Sequence, residues 1–138
     1  MQHRARKRFG QNFLVDDRVV EQIVAAIAPG AGQRILEIGP GQAALTTRLA
    51  ESGADLHLLE IDRDLAASLE RQFSRQDHVH IHRGDALKMD LAALCPDGRL
   101  RLVGNLPYNI STPLIFHLLE WQDRIVDMHF MLQQEVVT

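Results

Sequence analysis

Short apolar runs alternate with longer amphipathic segments along this chain, and that alternation limits the folds open to it. The apolar runs predict buried strands at residues 34–38, 56–61, 79–82, 100–104 and 126–133. Apolar residues at helical spacing predict helices around and between them, at residues 15–27, 43–52, 63–75 and 113–121. Because such alternation is typical of βαβ units, we predict an α/β fold with a mostly parallel sheet flanked by helices.

The composition is that of an ordinary globular domain. The chain has 138 residues, of which 46% are hydrophobic and 24% are charged. No apolar run approaches the ~20 residues of a membrane helix, and the basic N-terminus lacks the apolar core of a secretory signal. The single cysteine, Cys95, excludes a disulfide within the chain and suits a reducing compartment. We therefore expect a cytoplasmic protein that does not bind membranes.

Positive charge is concentrated in the first ten residues. The net charge of −3 is not typical of a nucleic-acid-binding protein. The first ten residues nevertheless contain no acidic residue and four basic ones, Arg4, Arg6, Lys7 and Arg8. A basic arm on an acidic body can reach phosphate groups, although a solvated terminus would carry the same charge. These four residues are candidate nucleic-acid contacts.

A glycine-rich turn follows the first predicted strand, and an acidic residue ends the second. Gly39-Pro40-Gly41 permits a tight turn in which a ligand can approach the backbone. The carboxylate of Glu60 can accept hydrogen bonds from both ribose hydroxyls. Together they predict a nucleoside-containing cofactor, but the turn fits a dinucleotide as well as S-adenosylmethionine, and a βα turn without a ligand would look similar.

Asp85 follows the third predicted strand, within Gly84-Asp85-Ala86. A carboxylate at this place can accept a hydrogen bond from the 6-amino group of an adenine and so hold the base of a cofactor. Gly-Asp is also an ordinary turn sequence, so Asp85 alone is weak evidence. Since it stands at the next strand end after Gly39 and Glu60, we include it in the predicted cofactor site.

Asn105-Leu106-Pro107-Tyr108 comes directly after the fourth predicted strand. An aromatic amine is a poor nucleophile because its lone pair is delocalised into the ring. The Asn105 side-chain oxygen and the Leu106 backbone oxygen can accept its two hydrogens and direct the lone pair, and Tyr108 offers a face on which a base can stack. Pro107 stiffens the turn. A proline turn capped by asparagine is the structural alternative.

Five motifs in order resemble the rRNA adenine dimethyltransferase family over essentially the whole chain. They are residues 8–14, 36–41, 59–62, 84–86 and 105–111. Within the family the chain most resembles the bacterial branch that acts on small-subunit (16S) rRNA. Residues 131–136 also resemble the family at the end of the fifth strand.

This resemblance implies the Rossmann-like fold of the class I S-adenosylmethionine-dependent methyltransferases. It divides the chain into a basic segment, residues 1–14, that contributes to the cofactor site, and an incomplete methyltransferase domain, residues 15–138. It implies cofactor contacts from six residues: Asn12, Leu14, Gly39, Glu60, Asp85 and Asn105. Asn105, Leu106 and Tyr108 are the implied catalytic residues, and the basic arm becomes a candidate RNA contact.

Members of the family continue with two further strands and a small helical domain. We therefore expect this chain to be a piece truncated after the fifth strand, with an unpaired sheet edge and exposed apolar surface. The complete enzyme is expected to be monomeric.

The implied activity is dimethylation of two adjacent adenines in small-subunit rRNA, which supports ribosome biogenesis and yields S-adenosylhomocysteine. Three alternatives stay open: a large-subunit rRNA methyltransferase of the macrolide-resistance type, a non-catalytic RNA-binding assembly module, and an NAD-dependent oxidoreductase. His78, His80 and His82 alternate along the third predicted strand and could bind zinc. The resemblance calls for no metal, and we expect none.

Overall fold

A five-stranded sheet with helices on both faces organises residues 16–133, the part of the chain that the computed structural model describes. The strands are β1 (Arg34–Ile38), β2 (Asp55–Glu60), β3 (Val79–Arg83), β4 (Leu100–Pro107) and β5 (Ile125–Gln133). The helices are α1 (Asp17–Ile27), α2 (Ala44–Glu51), α3 (Arg63–Gln72), α4 (Leu91–Leu94) and α5 (Tyr108–Leu119). Single 3-10 turns lie at Ala86–Lys88 and Gln122–Arg124.

All neighbouring strands of the sheet are parallel, in the order β3-β2-β1-β4-β5. The order reverses at β1, so that the chain leaves β1 toward one edge and returns to pair β4 on its other side. Ligands of open parallel sheets bind beyond the carboxyl ends of the strands at such a switch point. The predicted α/β fold is confirmed, and its topology directs attention to the end of β1.

Two apolar cores lie on opposite faces of the sheet, because side chains alternate along each strand. Ile35 and Leu56 pack with residues of α1, α2 and α3, including Val20, Leu49 and Leu69. Leu36 and Leu102 pack on the other face with residues of α4 and α5, including Leu91, Leu114 and Leu118. The aspartates before α1, α3 and α4 cap those helices through their side chains: Asp16, Asp62 and Asp90.

The boundary between β4 and α5 differs most from the sequence-based prediction. β4 continues to Pro107 because Asn105, Leu106 and Pro107 pair with β5, and α5 begins at once with Tyr108. Pro113, predicted to open the helix, therefore lies inside it. Proline cannot donate the usual helical hydrogen bond there. We attribute the tolerance of that loss to Leu114 and Leu118, which are fully buried against the sheet.

The other predicted boundaries are within three residues of the observed ones. The helix α4, however, was not predicted. It has only four residues, which is too short for a hydrophobic period to appear in the sequence. Asp90 caps it, and its Leu91 is completely buried.

Strand β5 forms one edge of the sheet and exposes apolar side chains. Val126, Met128 and Leu132 are each 40% or more exposed. A groove of about 430 Å³ runs between β5 and α1, lined in part by Ile23 and Phe130. The expected exposed apolar edge is therefore present in this structure.

Within residues 16–133, no helix combines the length and apolar character that crossing a lipid bilayer requires.

Candidate active site

The strand ends that carry the predicted site residues lie side by side at the carboxyl edge of the sheet. The Gly39 amide donates to the Leu59 carbonyl at 2.9 Å, and the Gly84 amide donates to the Glu60 carbonyl at 3.1 Å. Gly104 of β4 pairs with Ile38 of β1, so Asn105 stands one residue beyond that pair. The fold thus brings Gly39, Glu60, Asp85 and Asn105 to one edge, around the switch point of the strand order.

The turn after β1 depends on backbone conformations that favour glycine. Gly39 and Gly41 have φ values of 68° and 59°, in the left-handed region. Ala43 also adopts a left-handed conformation, with φ 73°, and its amide donates to the Pro40 carbonyl at 2.9 Å. Helix α2 follows without a side-chain cap from Ala43. The turn therefore places the N-terminus of α2 at the carboxyl edge of the sheet. Backbone amides at a helix N-terminus favour a polar ligand.

Glu60 is held in place by backbone amides on either side of it. Its Oε1 accepts a hydrogen bond from the Gly41 amide at 3.1 Å, and its Oε2 accepts one from the Asp62 amide at 3.0 Å. The residue is only 5% exposed. Because each carboxylate oxygen has two lone pairs, each retains capacity for a further donor. That arrangement suits the two neighbouring hydroxyls of a ribose.

A second buried carboxyl, that of Glu37, interacts electrostatically with Glu60 and was not predicted from the sequence. Glu37 is 2% exposed and accepts a 2.6 Å hydrogen bond from the Thr46 hydroxyl of α2. Burial raises the pKa of Glu37 to about 7, with a further upward contribution from the charge of Glu60 and an opposing one from the Thr46 hydrogen bond. A charged residue inside an apolar, buried strand was the signal that could have found it.

Asp85 begins the segment after β3. Its Oδ1 accepts a 2.9 Å hydrogen bond from the Leu87 amide and caps the 3-10 turn Ala86–Lys88. The residue is half-buried. This cap is what an ordinary Asp turn forms, but here it holds a carboxylate next to the end of β2, because Gly84 is bonded to Glu60. The geometry is compatible with the predicted contact to the base of a cofactor.

Asn105 carries the most informative atom of the site. Its side-chain oxygen is buried and, among the described residues, has no hydrogen-bond partner. An unsatisfied buried acceptor costs on the order of 1–3 kcal/mol, so native proteins rarely keep one without a reason. A donor supplied by a ligand, such as an amine hydrogen, would satisfy it. The residues present therefore fit a nucleoside-containing group and an amine substrate at this edge.

The structure gives the positions of only two of the other predicted site residues, Leu106 and Tyr108. Leu106 lies within β4, with its side chain 5% exposed, and Tyr108 is the first residue of α5. The predicted roles of the Leu106 carbonyl and the Tyr108 ring stay predictions. Six predicted site residues lie outside the described part of the chain: Arg4, Arg6, Lys7, Arg8, Asn12 and Leu14.

Comparison with known proteins gives a consistent family assignment. The family model described as "Ribosomal RNA adenine dimethylase" matches residues 2–138. A protein of Methylococcus capsulatus named "Ribosomal RNA small subunit methyltransferase A" is 57% identical over 137 residues, covering 99% of this chain and 53% of the relative. The Pseudomonas aeruginosa protein of the same name is 61% identical, covering 99% of this chain and 51% of the relative. The chain spans about half the length of these curated relatives.

Solved structures share the fold. The 23S rRNA methyltransferase ErmE superposes with a TM-score of 0.69 at 27% identity, covering 80% of this chain and 43% of ErmE. A dimethyladenosine transferase from Plasmodium falciparum superposes with a TM-score of 0.65 at 25% identity, covering 76% of this chain and 37% of that one. The sheet and its helices therefore form the Rossmann-like fold of class I S-adenosylmethionine-dependent methyltransferases.

Proposed function

Because this chain belongs to the ribosomal RNA adenine dimethylase family, we propose that its protein transfers methyl groups from S-adenosylmethionine to the 6-amino group of adenines in small-subunit rRNA. The observation that carries the proposal is the buried side-chain oxygen of Asn105 at the switch point of the sheet, which has no hydrogen-bond partner within the part of the chain that the structure describes. Names of relatives with 57% and 61% identity support the small subunit as the source of the RNA. Dimethylation of two adjacent adenines, in support of ribosome biogenesis, is the specific reaction that we propose.

The cofactor would bind across the carboxyl edge. Glu60 would accept hydrogen bonds from both ribose hydroxyls, because the Gly41 and Asp62 amides hold one carboxylate oxygen each. Asp85 would accept from the amino group of the cofactor's adenine, and Gly39 would line the methionine end. Asn12 and Leu14 would complete the site from residues 1–14, the segment that precedes the methyltransferase domain of residues 15–138. Bound S-adenosylmethionine supplies the electrophilic methyl group.

The target amine would be oriented by Asn105 and Leu106. The Asn105 oxygen and the Leu106 carbonyl would each accept one amine hydrogen, favour a pyramidal nitrogen and direct its lone pair at the methyl group. Tyr108 would stack against the target base, a contact worth about 1–3 kcal/mol per base. No strong general base is required, since the amine becomes acidic as it gains the methyl group. Alignment and charge complementarity would therefore supply the rate enhancement.

The substrate RNA would be held partly by the basic arm. Arg4, Arg6, Lys7 and Arg8 would neutralise phosphates, and binding through them would weaken as salt rises. The same arm supports the alternative of a non-catalytic RNA-binding module, which predicts RNA binding without methyl transfer. The test must therefore measure transfer itself.

The experiment compares the chain alone with the chain joined to the part of the Pseudomonas aeruginosa relative that it does not match. Each is incubated with methyl-labelled S-adenosylmethionine and either immature small subunits or large-subunit rRNA, and the RNA is digested to nucleosides. We expect label in dimethyladenosine from small subunits only, and its loss in Asn105→Ala. The control is Gln122→Ala, which removes an exposed side-chain amide just before the amino end of β5, away from the carboxyl edge.

Label in large-subunit RNA would instead assign the protein to the branch of the family that methylates large-subunit rRNA. Label in no RNA, from a joined protein that binds S-adenosylhomocysteine, would overturn the proposed activity.

A further inference from the structure

Four polar side chains share one face of the neighbouring strands β2 and β3, away from the proposed active site. Asp55 and His57 alternate along β2, and His80 and His82 alternate along β3. The parallel register places His57 beside His80 and Leu59 beside His82. Because paired residues of neighbouring strands point to the same face, all four side chains lie together.

Three of them bring ligand atoms close to one point. The His80 Nε2 lies 2.9 Å from Asp55 Oδ1, and the His57 Nε2 lies 3.3 Å from Asp55 Oδ2. One ligand atom from each of the three residues lies within 4.8 Å of the other two. Tetrahedral zinc with bonds of about 2.0–2.1 Å sets its ligand atoms about 3.3 Å apart. We propose that Asp55, His57 and His80 bind one zinc ion that joins β2 to β3.

The surroundings of His57 favour this role. Its Nδ1 lies 2.9 Å from the Nε2 of His82. If Nδ1 carries the hydrogen and donates to His82, the Nε2 lone pair of His57 points toward Asp55 and is available to a metal. The second ring N–H of a metal-binding histidine commonly donates a hydrogen bond to a fixed acceptor in this way. His82 is therefore a positioning residue for His57.

The carboxylate is also positioned. Arg34 of β1 donates from Nε to Asp55 Oδ2 at 3.0 Å, which leaves Oδ1 for the ion. A carboxylate and neutral imidazoles are the forms of these side chains that bind a metal ion.

The cluster is open to an ion from solvent. The side chains of His80 and Asp55 are 44% and 38% exposed, whereas His57 is 14% exposed. The rings of His57 and His80 stack with centroids 4.6 Å apart, so they must tilt toward each other to share one ion, and the exposed His80 can make that movement. Two nitrogens and one oxygen favour zinc over magnesium or calcium, which prefer oxygen ligands. Water would complete the coordination.

The grouping differs from the one that the sequence suggested. His78 precedes β3, and its Nε2 bonds to the Ala50 carbonyl at 2.9 Å, so it does not share the face of His80 and His82. The three histidines that alternate in the sequence therefore do not form one group in the structure. The missing members, Asp55 and His57, come from the neighbouring strand, and only the register of β2 with β3 reveals them.

The test titrates Zn²⁺ into the chain, prepared without a histidine tag, by calorimetry at pH 7. We expect one ion per chain and at least tenfold weaker binding in His80→Gln, an exposed position whose change leaves the fold intact by circular dichroism. The matched control is His129→Gln, which removes a histidine 3.3 Å from Asp127 that belongs to no such trio among residues 16–133. Zinc should bind this control as tightly as the unaltered chain.

A second readout follows the coordination itself. Co²⁺ in place of Zn²⁺ should give visible absorption bands of a four-coordinate site, and His82→Leu should weaken metal binding about 10–100-fold, as loss of a positioning partner does. Binding of equal strength in His80→Gln, or weak absorption typical of six-coordinate Co²⁺, would overturn the proposal. Each outcome is independent of methyl transfer.

Discussion

The Gly41 amide donates a 3.1 Å hydrogen bond to Glu60 Oε1 and so ties the turn after β1 to the end of β2. The other oxygen of Glu60 accepts from the Asp62 amide. Two separate segments thus orient one carboxylate before any ligand arrives. Such preorganisation reduces the conformational entropy that the Glu60 side chain loses when a ligand binds.

Glu60→Gln is expected to weaken binding of S-adenosylhomocysteine by about 10–100-fold. The amide NH₂ cannot accept a hydrogen bond from a ribose hydroxyl, so one of the two proposed ribose contacts is lost, at a cost of about 1–3 kcal/mol. Calorimetric titration of the chain measures the effect. Glu51→Gln, an exposed change at the end of α2, is the control and should bind normally. Equal affinity of both variants would contradict the proposed ribose contact.

Asn105→Ala should lower kcat for methyl transfer by a factor of about 10²–10³. Removing one preorganised hydrogen-bonding group from an enzyme active site typically has an effect of this size. The side-chain oxygen lost has no hydrogen-bond partner among residues 16–133, so its removal leaves no protein donor unpaired. The free energy of unfolding should therefore fall by less than about 1 kcal/mol. Single-turnover transfer and urea unfolding separate the two effects. A large loss of stability with an unchanged rate would show that Asn105 acts as a structural cap.

Glu37→Gln should stabilise the protein relative to the unaltered chain as the pH rises. Folding raises the pKa of Glu37 from 4.5 to about 7, so the folded state holds the proton more tightly than the unfolded state. The stability that this raised pKa contributes is fully present below pH 4.5 and is lost as the pH rises through about 7. The free energy of unfolding then falls by on the order of 3 kcal/mol. Glutamine keeps an acceptor for Thr46 and does not ionise. Urea unfolding at pH 5 and pH 8 should show the variant gaining at pH 8.

The same pH comparison has a control in Glu120→Gln, an exposed change after α5. Its difference from the unaltered chain should be equal at both pH values. If Glu37→Gln behaves in the same way, Glu37 ionises normally and the inferred burial effect is absent.

Arg101→Met should lower the free energy of unfolding by about 2–3 kcal/mol, because it removes a buried guanidinium that forms several hydrogen bonds and leaves the partly exposed Asp127 carboxylate without its ion-pair partner. Arg101 is 12% exposed and contacts both carboxylate oxygens of Asp127, at 2.9 and 3.1 Å. It also donates to Gln33 Oε1 at 2.8 Å and to the carbonyl of Ile27. One guanidinium thus joins β4, β5 and the end of α1. Arg83→Met, an exposed change on β3, should have little effect in the same urea titration.

Much of the fold follows from local patterns. Apolar runs, helical spacing and turn residues placed all five strands and four of the helices, since periodicity and turn chemistry act over a few neighbouring residues. The helix α4 left no such pattern. The end of β4 was misplaced because Asn105 to Pro107 become strand only through pairing with β5. A register between distant segments is not encoded in either segment alone.

The sequence by itself determined the alternation of strands and helices, the family, and the residue types at the strand ends, among them Gly39, Glu60, Asp85 and Asn105. Only the tertiary structure decided which side chains meet. Thr46 reaches Glu37 because α2 packs against β1. His57 joins His80 because the register of β2 with β3 brings together residues that lie far apart in the chain. The Asn105 oxygen, which finds no hydrogen-bond donor among residues 16–133, is likewise a property of the packed fold, since burial and hydrogen bonding depend on every neighbour at once.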